Sequence, residues 1–151
     1  MKILIVNTSE LSGGAALAAS RLKDALNKQG EKAMMLVRDK QSDDPTVVSV
    51  GGGLAGSLRF LFERLRIMVS LRFNRKHLFA LDTASAGYDI TRLREFREAD
   101  VIHLHWINQG MLSLKGIRRI LASGKPVVWT MHDAWPQTAI CHLTLGCQRF
   151  Q

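Results

Sequence analysis

The sequence predicts a Rossmann-like α/β domain, in which a parallel sheet carries helices on both faces. Short, continuously apolar runs rich in β-branched residues alternate with helical segments along the chain. Such runs are typical of strands that are buried on both faces, and their alternation with helices is typical of a parallel sheet. A length of 151 residues fits one domain, so we treat residues 1–151 as one folding unit.

The first half of the chain contains three predicted strands and two predicted helices. Gly30 ends the first helix, because glycine readily adopts the left-handed conformation found at helix C-termini. A run of glycines at residues 51–53 separates the third strand from the second helix. In chain order the elements are the strand Lys2–Asn7, the helix Ala15–Lys28, the strands Ala33–Val37 and Thr46–Val50, and a helix at about Leu54–Phe73.

The second half contains two more strands and two more helices, after residues 74–90, which have no clear period. Asp89 is a suitable N-cap for a short helix, and Gly124 with Pro126 just beyond it ends a longer one. In chain order the elements are the helix Ile90–Glu98, the strand Val101–His105, the helix Leu112–Ser123 and the strand Val127–Met131, followed by the irregular segment His132–Gln151.

Composition limits the class of protein. Hydrophobic residues make up 46% and charged residues 23% of the chain, which is typical of a globular domain. The two cysteines are too few for a disulfide framework, and the chain has neither a signal-peptide pattern nor an uncharged apolar run of about 18 residues. These features predict a cytoplasmic location. The net charge of +8 favours anionic partners, such as phosphorylated substrates or an acidic membrane surface.

A glycine pair follows the first predicted strand. Ligands of open α/β sheets bind beyond the carboxyl ends of the strands, and Gly13 and Gly14 lie at such an end. There they would let the backbone approach a ligand, and the helix N-terminus that follows could bind a phosphate. Alternatively, the glycines only form the turn and Ser12 caps the helix. The segment matches neither the dinucleotide-binding glycine pattern nor the P-loop.

Two histidines lie at the end of the fourth predicted strand. Strand alternation places His103 and His105 on one face and Trp106 on the other. We expect His103 to be hydrogen-bonded within the core. His105 is nearer the carboxyl end of the strand, so we expect it to belong to the site.

A second polar cluster, His132, Asp133 and Trp135, directly follows the fifth predicted strand. Such groups are costly to bury unless they are hydrogen-bonded or face a ligand. Their position predicts a functional site, in which His132 could hydrogen-bond a hydroxyl or phosphate oxygen near neutral pH. The alternative is a simple strand end at which Asp133 begins a turn.

Neither of two patterns of potential metal ligands is complete. The pair His103 and His105 could chelate a metal, but the spacing does not define a third ligand. Cys141, His142 and Cys147 offer three soft ligands, whereas a structural zinc site needs four. The incomplete spacing therefore favours a core role for His103 and two free thiols over a metal site.

The segment Ser57–His77 is both basic and apolar. Its apolar face comprises Leu58, Leu61, Phe62, Leu65, Met68 and Val69, beside a narrow polar stripe of Arg59, Glu63, Arg66 and Ser70. Either the helix lies on an anionic membrane surface, or it is a core helix whose arginines reach into water. Nucleic acid is not predicted, because no aromatic platform or known module accompanies the charge. Against the single Glu63, the segment carries the cationic residues Arg59, Arg64, Arg66, Arg72, Arg75 and Lys76.

Two runs in the second half resemble bacterial family 4 glycosyltransferases. They are ADVIHLHWI at residues 99–107 and GKPVVWTMHDAWP at residues 124–136. The run SGGAA at residues 12–16 and the later Cys141, His142 and Cys147 fit the same pattern. The resemblance covers essentially the whole chain and is most specific at residues 129–136.

The resemblance implies a retaining enzyme with a nucleotide-sugar donor, no metal or other cofactor, and the GT-B fold of two Rossmann-like domains. This chain resembles the N-terminal, mainly acceptor-binding domain. Gly13 and Gly14 would lie against the donor phosphates, His132 beside the transferred sugar, and Asp133 and His105 on the acceptor side. The acceptor would be a cell-surface glycan or a lipid-linked molecule, met peripherally at the inner face of the membrane.

These 151 residues do not include the family's second domain, with its nucleotide pocket and its paired glutamates. We therefore expect this chain alone to be inactive and the second domain of the same protein to be its partner. The alternative is a non-catalytic Rossmann-like module that binds a membrane surface or a protein partner through its basic face.

Overall fold

A computed structural model describes residues 1–51, 54–73, 80–138 and 140–143. Its strands are β1 (Lys2–Ser9), β2 (Lys32–Asp39), β3 (Val47–Ser49), β4 (Val101–Leu104) and β5 (Val127–Trp129). Its α-helices are α1 (Gly14–Lys28), α2 (Leu54–Ser70), α3 (Arg94–Glu98), α4 (Leu114–Leu121) and α5 (Trp135–Thr138). The strands form one parallel sheet in the order β3-β2-β1-β4-β5, which confirms the predicted fold class.

The sheet buries both of its faces, and β1 shows this most clearly. Leu4 and Val6 belong to one apolar cluster, together with residues of α3 and α4. Ile3 and Ile5 belong to a second cluster, together with residues of α1. Because successive side chains of a strand point to opposite faces, the helices cover both sides of the sheet.

The helices of residues 90–98 and 112–123 begin differently from the predicted ones for local reasons. The predicted helix Ile90–Glu98 is divided at Leu93, which has an extended backbone, into a 3-10 turn (Ile90–Arg92) and α3. Asp89 caps the turn as expected, and its side chain accepts the Thr91 N–H at 3.2 Å. Helix α4 begins two residues later than predicted because Ser113 is its N-cap, accepting the Gly116 N–H at 3.1 Å.

Helix α2 is oriented differently from an ordinary core helix. Its predicted apolar face points outward, and Leu58, Leu61, Phe62, Leu65 and Val69 are each 49% to 63% exposed. The polar residues Glu63 and Arg64 are buried instead, together with Ile67. Two corrections follow: Glu63 does not belong to a solvent-facing polar stripe, and Arg64 is not available to a membrane or an acceptor. Within the described residues, no helix is long and apolar enough to cross a bilayer.

The buried polar groups of α2 hydrogen-bond to residues 82 and 85. The Arg64 guanidinium donates to Asp82 Oδ2 at 3.0 Å, and Glu63 Oε1 accepts the Ser85 N–H at 3.1 Å. Glu63 and Asp82 are both fully buried. Burial raises the pKa of Glu63 to about 8, and the negative charge of Asp82 acts in the same direction. Glu63 is therefore protonated at neutral pH, which relieves the repulsion between the two carboxyl groups.

The raised pKa makes stability depend on pH in a defined direction. The pKa of Glu63 is higher in the folded state than in the unfolded state. Its contribution to the free energy of unfolding is therefore fully present below about pH 4.5 and is lost as the pH rises through 8. We expect Glu63→Gln to remove this loss. Between pH 6 and pH 9 the free energy of unfolding of the variant should therefore rise by about 1–3 kcal/mol relative to that of wild type. Urea unfolding at both pH values measures the difference.

The matched control is Glu98→Gln. Glu98 is an exposed carboxylate whose pKa is lowered by hydrogen bonds from Arg94 and Lys2, so it is ionised at both pH values. The free energy of unfolding of this variant should depend on pH in the same way as that of wild type. If the free energy of unfolding changed equally with pH in wild type and in Glu63→Gln, Glu63 would not be held in its protonated form.

Candidate functional site

The sheet order reverses beside β1, and a cleft opens there. From β1 the chain proceeds through α1 to β2 on one side, whereas β4 pairs with the other side of β1. In such sheets the crevice beyond the carboxyl ends of the strands is the preferred ligand site. The cleft has a volume of about 760 Å³. Its lining includes Asn7, Thr8, Ser12, Gly13, Gly14, Asp39, Gln41, Trp106, Gln109, His132 and Asp133.

Polar residues at the end of β1 hold the two sides of the cleft together. Asn7 Oδ1 accepts the Trp106 N–H at 2.8 Å, and the Thr8 N–H donates to the Trp106 carbonyl at 2.8 Å. The Thr8 hydroxyl is shared between the carbonyls of Trp106 and Asn108, at 2.9 and 2.8 Å. Asn7 and Thr8 are not among the predicted site residues, although a polar pair at the carboxyl end of an apolar strand is a usable signal.

The first turn of α1 forms one wall of the cleft. Gly13 has φ 93° and ψ 166°, a conformation open almost only to glycine. No side chain caps the helix, and Ser12 pairs with the Gln41 side chain instead. The alternative of a Ser12 cap is therefore wrong. The N–H groups of the first turn and the positive end of the helix dipole remain available to an anion in the cleft.

The histidines form a chain from the sheet to the opposite wall of the cleft. His103 Nε2 hydrogen-bonds Thr130 Oγ1 at 2.8 Å, in agreement with the expected structural role. Its ring lies 4.5 Å from that of His105, so the two share a face as predicted. His105 is buried behind the cleft, and its Nδ1 lies 2.9 Å from Nε2 of the exposed His132. Burial lowers the pKa of His105 to about 4, assisted by His103 and His132, so His105 is neutral at pH 7.

Asp133 is a structural junction at the edge of the cleft. Its Oδ2 accepts the Trp106 indole N–H at 2.8 Å and the His142 Nδ1–H at 2.6 Å. Its Oδ1 accepts the Trp135 N–H at 2.9 Å. The carboxylate therefore orients Trp106 and attaches the segment around His142 to the cleft wall, and it also begins the turn that leads into α5.

Trp135 lies in the core and not in the cleft, which corrects its predicted role as a substrate contact. The side chain is 2% exposed and packs near Trp129, and its indole N–H donates to the Asp82 carbonyl at 2.8 Å. Trp135 is the first residue of α5, and the Asp82 carbonyl holds its indole in the core. Trp106 lines the cleft instead, although strand alternation predicts only that it lies on the face opposite His105.

The remaining predicted residues are not gathered at the cleft. Arg66 and Arg72 are exposed, as expected for a basic surface. Arg75, Lys76 and Cys147 lie outside the described residues, as does the side chain of Arg59. Cys141 is a free thiol. In the ranges that the structure describes, no group of three or more His, Cys, Asp or Glu residues has an arrangement that could hold a metal ion.

The conformation of Gly13 leads to a stability prediction. Gly13→Ala places a Cβ on a backbone that L-residues rarely adopt, so we expect a loss of about 1–3 kcal/mol in the free energy of unfolding. Gly14→Ala is the matched control, because Gly14 is helical and a Cβ there meets no atom within 4 Å. Denaturant unfolding should show Gly14→Ala unchanged or slightly stabilised. Equal stability of the two variants would contradict the role assigned to Gly13.

Comparison with known proteins returns a family match over most of the chain. The family model described as Glycosyltransferase Family 4 matches residues 12–149, which include the α1 wall and the histidine wall. Searches of the curated proteins and of the solved structures return no match. The match extends over most of the chain and over both walls of the cleft, and this protein therefore belongs to glycosyltransferase family 4.

Proposed function

We propose that this chain forms the acceptor-side domain of a retaining glycosyltransferase. It would act on a nucleotide-sugar donor and a cell-surface glycan or lipid-linked acceptor. The observation that carries the proposal is the cleft itself, in which the uncapped N-terminus of α1 lies across from His132. One wall offers main-chain N–H groups to an anion, and the other offers an imidazole to a hydroxyl. A diphosphate attached to a sugar needs both kinds of contact.

The wall formed by α1 would act on the leaving group. As the bond between sugar and diphosphate breaks, negative charge develops on the phosphate oxygen, and fixed N–H donors stabilise such charge without reorganising. The N–H groups nearest Gly13 and Gly14 are suited to this task, because no Cβ blocks the approach of the phosphate at either position. The nucleotide would be held by a second domain, so transfer needs both domains.

The opposite wall would position the sugar. His132 is exposed at the cleft, and His105 holds its ring from behind. Asp133 sets the orientation of Trp106, which offers an apolar ring face to a sugar or acceptor. In this proposal His105 and Asp133 act through their neighbours, whereas His132 contacts the substrate.

The role of His132 can be tested by enzyme kinetics on the full-length protein. We expect His132→Ala to lower kcat/KM for sugar transfer by about tenfold or more, since a hydrogen bond that orients the sugar is lost. Lys115→Ala on the exposed side of α4 is the control and should leave kcat/KM unchanged. Unimpaired transfer by His132→Ala would remove His132 from the site. Absence of transfer by the wild type with every nucleotide sugar would favour the non-catalytic module.

The exposed apolar face of α2 supports a second part of the proposal, peripheral binding to an anionic membrane. The face consists of Leu58, Leu61, Phe62, Leu65 and Val69. It is bordered by the exposed Arg66 and Arg72 on a chain with a net charge of +8. An apolar helix face with neighbouring cations is typical of helices that lie in the membrane interface. Such binding would bring the cleft to a lipid-linked acceptor.

Vesicle sedimentation tests this part. We expect the chain to sediment with phosphatidylcholine vesicles containing phosphatidylglycerol at low salt and to be released at high salt. The double variant Leu61→Glu and Phe62→Glu should bind about tenfold or more weakly, because it places two carboxylates on the inserted face. Leu121→Glu, at a similarly exposed position on α4, should bind like wild type. Equal binding by the double variant would refute the proposal for α2.

A further inference from the structure

The contact between His105 and His132 constrains the positions of protons in the cleft. The two nitrogens lie 2.9 Å apart, a distance that requires one proton between them. Each neutral imidazole has one N–H and one bare nitrogen, so only two arrangements are consistent with the contact. Either His105 Nδ1–H donates to His132 Nε2, or His132 Nε2–H donates to His105 Nδ1.

The two arrangements differ at the far nitrogen of His105. His105 Nε2 is buried and has no hydrogen-bond partner among the described residues. In the first arrangement this nitrogen is a bare acceptor, whereas in the second it is an N–H group without an acceptor. Buried N–H groups without partners are rarer in proteins than buried acceptors with free lone pairs. The surroundings of His105 therefore favour the first arrangement.

The first arrangement determines what His132 presents to the cleft. If its Nε2 accepts from His105, the proton of the neutral His132 ring must be on Nδ1. No hydrogen bond within the described residues uses this Nδ1. His132 lines the cleft and is exposed, so its N–H is available to a ligand.

We propose that His105 is a positioning residue that holds His132 in the Nδ1–H form, as a neutral hydrogen-bond donor to an oxygen atom of the substrate. His132 would then not act as a general base toward the hydroxyl of the acceptor substrate, because its only bare nitrogen already accepts the proton of His105. The identity of the substrate oxygen rests on the function proposed above, whereas the tautomer rests on the two histidines alone.

His103 completes this arrangement from the sheet side. The rings of His103 and His132 flank the ring of His105, at 4.5 and 5.1 Å between centroids. His103 is itself held by Thr130. A positive charge on His105 would be buried between the two neighbouring imidazoles, so the ring remains neutral and keeps its single proton for His132.

Nuclear magnetic resonance of the ¹⁵N-labelled chain at pH 7.5 tests the inference directly, because protonated and bare imidazole nitrogens have well-separated ¹⁵N shifts. We expect the Nδ1–H form for His132 in the wild type. In His105→Ala the ring should move toward the Nε2–H form that an unconstrained imidazole favours. An Nε2–H form of His132 in the wild type would overturn the inference, and this result does not depend on how any variant folds.

Kinetics separates positioning from simple structural support. In the full-length protein, His105→Ala should lower kcat/KM about tenfold, and His105→Asn should recover most of it, because its amide N–H can donate to His132 Nε2. Loss in both variants with an unchanged His132 tautomer would refute the positioning role. If the wild type shows Nδ1–H but His132→Ala transfers sugar normally, the proposed function of His132 fails while the tautomer assignment stands.

Discussion

The buried carboxylate of Asp82 connects parts of the molecule that are far apart in the chain. It accepts Arg64 from α2 and the Gln109 N–H from the loop after β4, at 3.0 and 2.7 Å. The carbonyl of the same residue accepts the Trp135 indole N–H. A fully buried charge is costly unless it is paired and hydrogen-bonded, so these partners cannot separate without isolating it. Asp82 thereby connects α2, through Arg64, to the rim of the cleft at Gln109.

This constraint reaches the site through Gln109. Gln109 has φ 56°, which is uncommon for a residue other than glycine, and it lines the cleft. Its N–H is held by Asp82 and its carbonyl by the Arg38 guanidinium, so the backbone is held in this conformation from both sides. The apolar face of α2 points outward because the polar residues Glu63 and Arg64 are buried on the opposite, inward-facing side of the helix.

The opposite side of the cleft is organised by polar contacts in a similar way. Asp133 joins Trp106 and His142, and His105 supports His132 from the sheet side. Hydrogen bonds between polar side chains in a largely buried setting favour one arrangement of those side chains. In the proposed function, this preorganisation holds an imidazole across from the N-terminus of α1 before any ligand binds.

Sequence by itself determined the α/β class, the five parallel strands and the carboxyl-edge position of Gly13, His105 and His132, because these depend on local periodicity and on a general rule for open sheets. Tertiary structure decided the rest. Helical periodicity shows that α2 is amphipathic, but only the folded structure shows that Glu63 and Arg64 face inward, with Arg64 bound to Asp82, and that the apolar face points outward. Likewise, the proximity of Trp135 to His132 in the chain suggested a substrate contact, whereas the packing of α5 placed its indole in the core. Contacts between distant segments, such as Asn7 with Trp106, leave no periodic trace, and for this reason only the folded structure identifies the residues that join the two walls of the cleft.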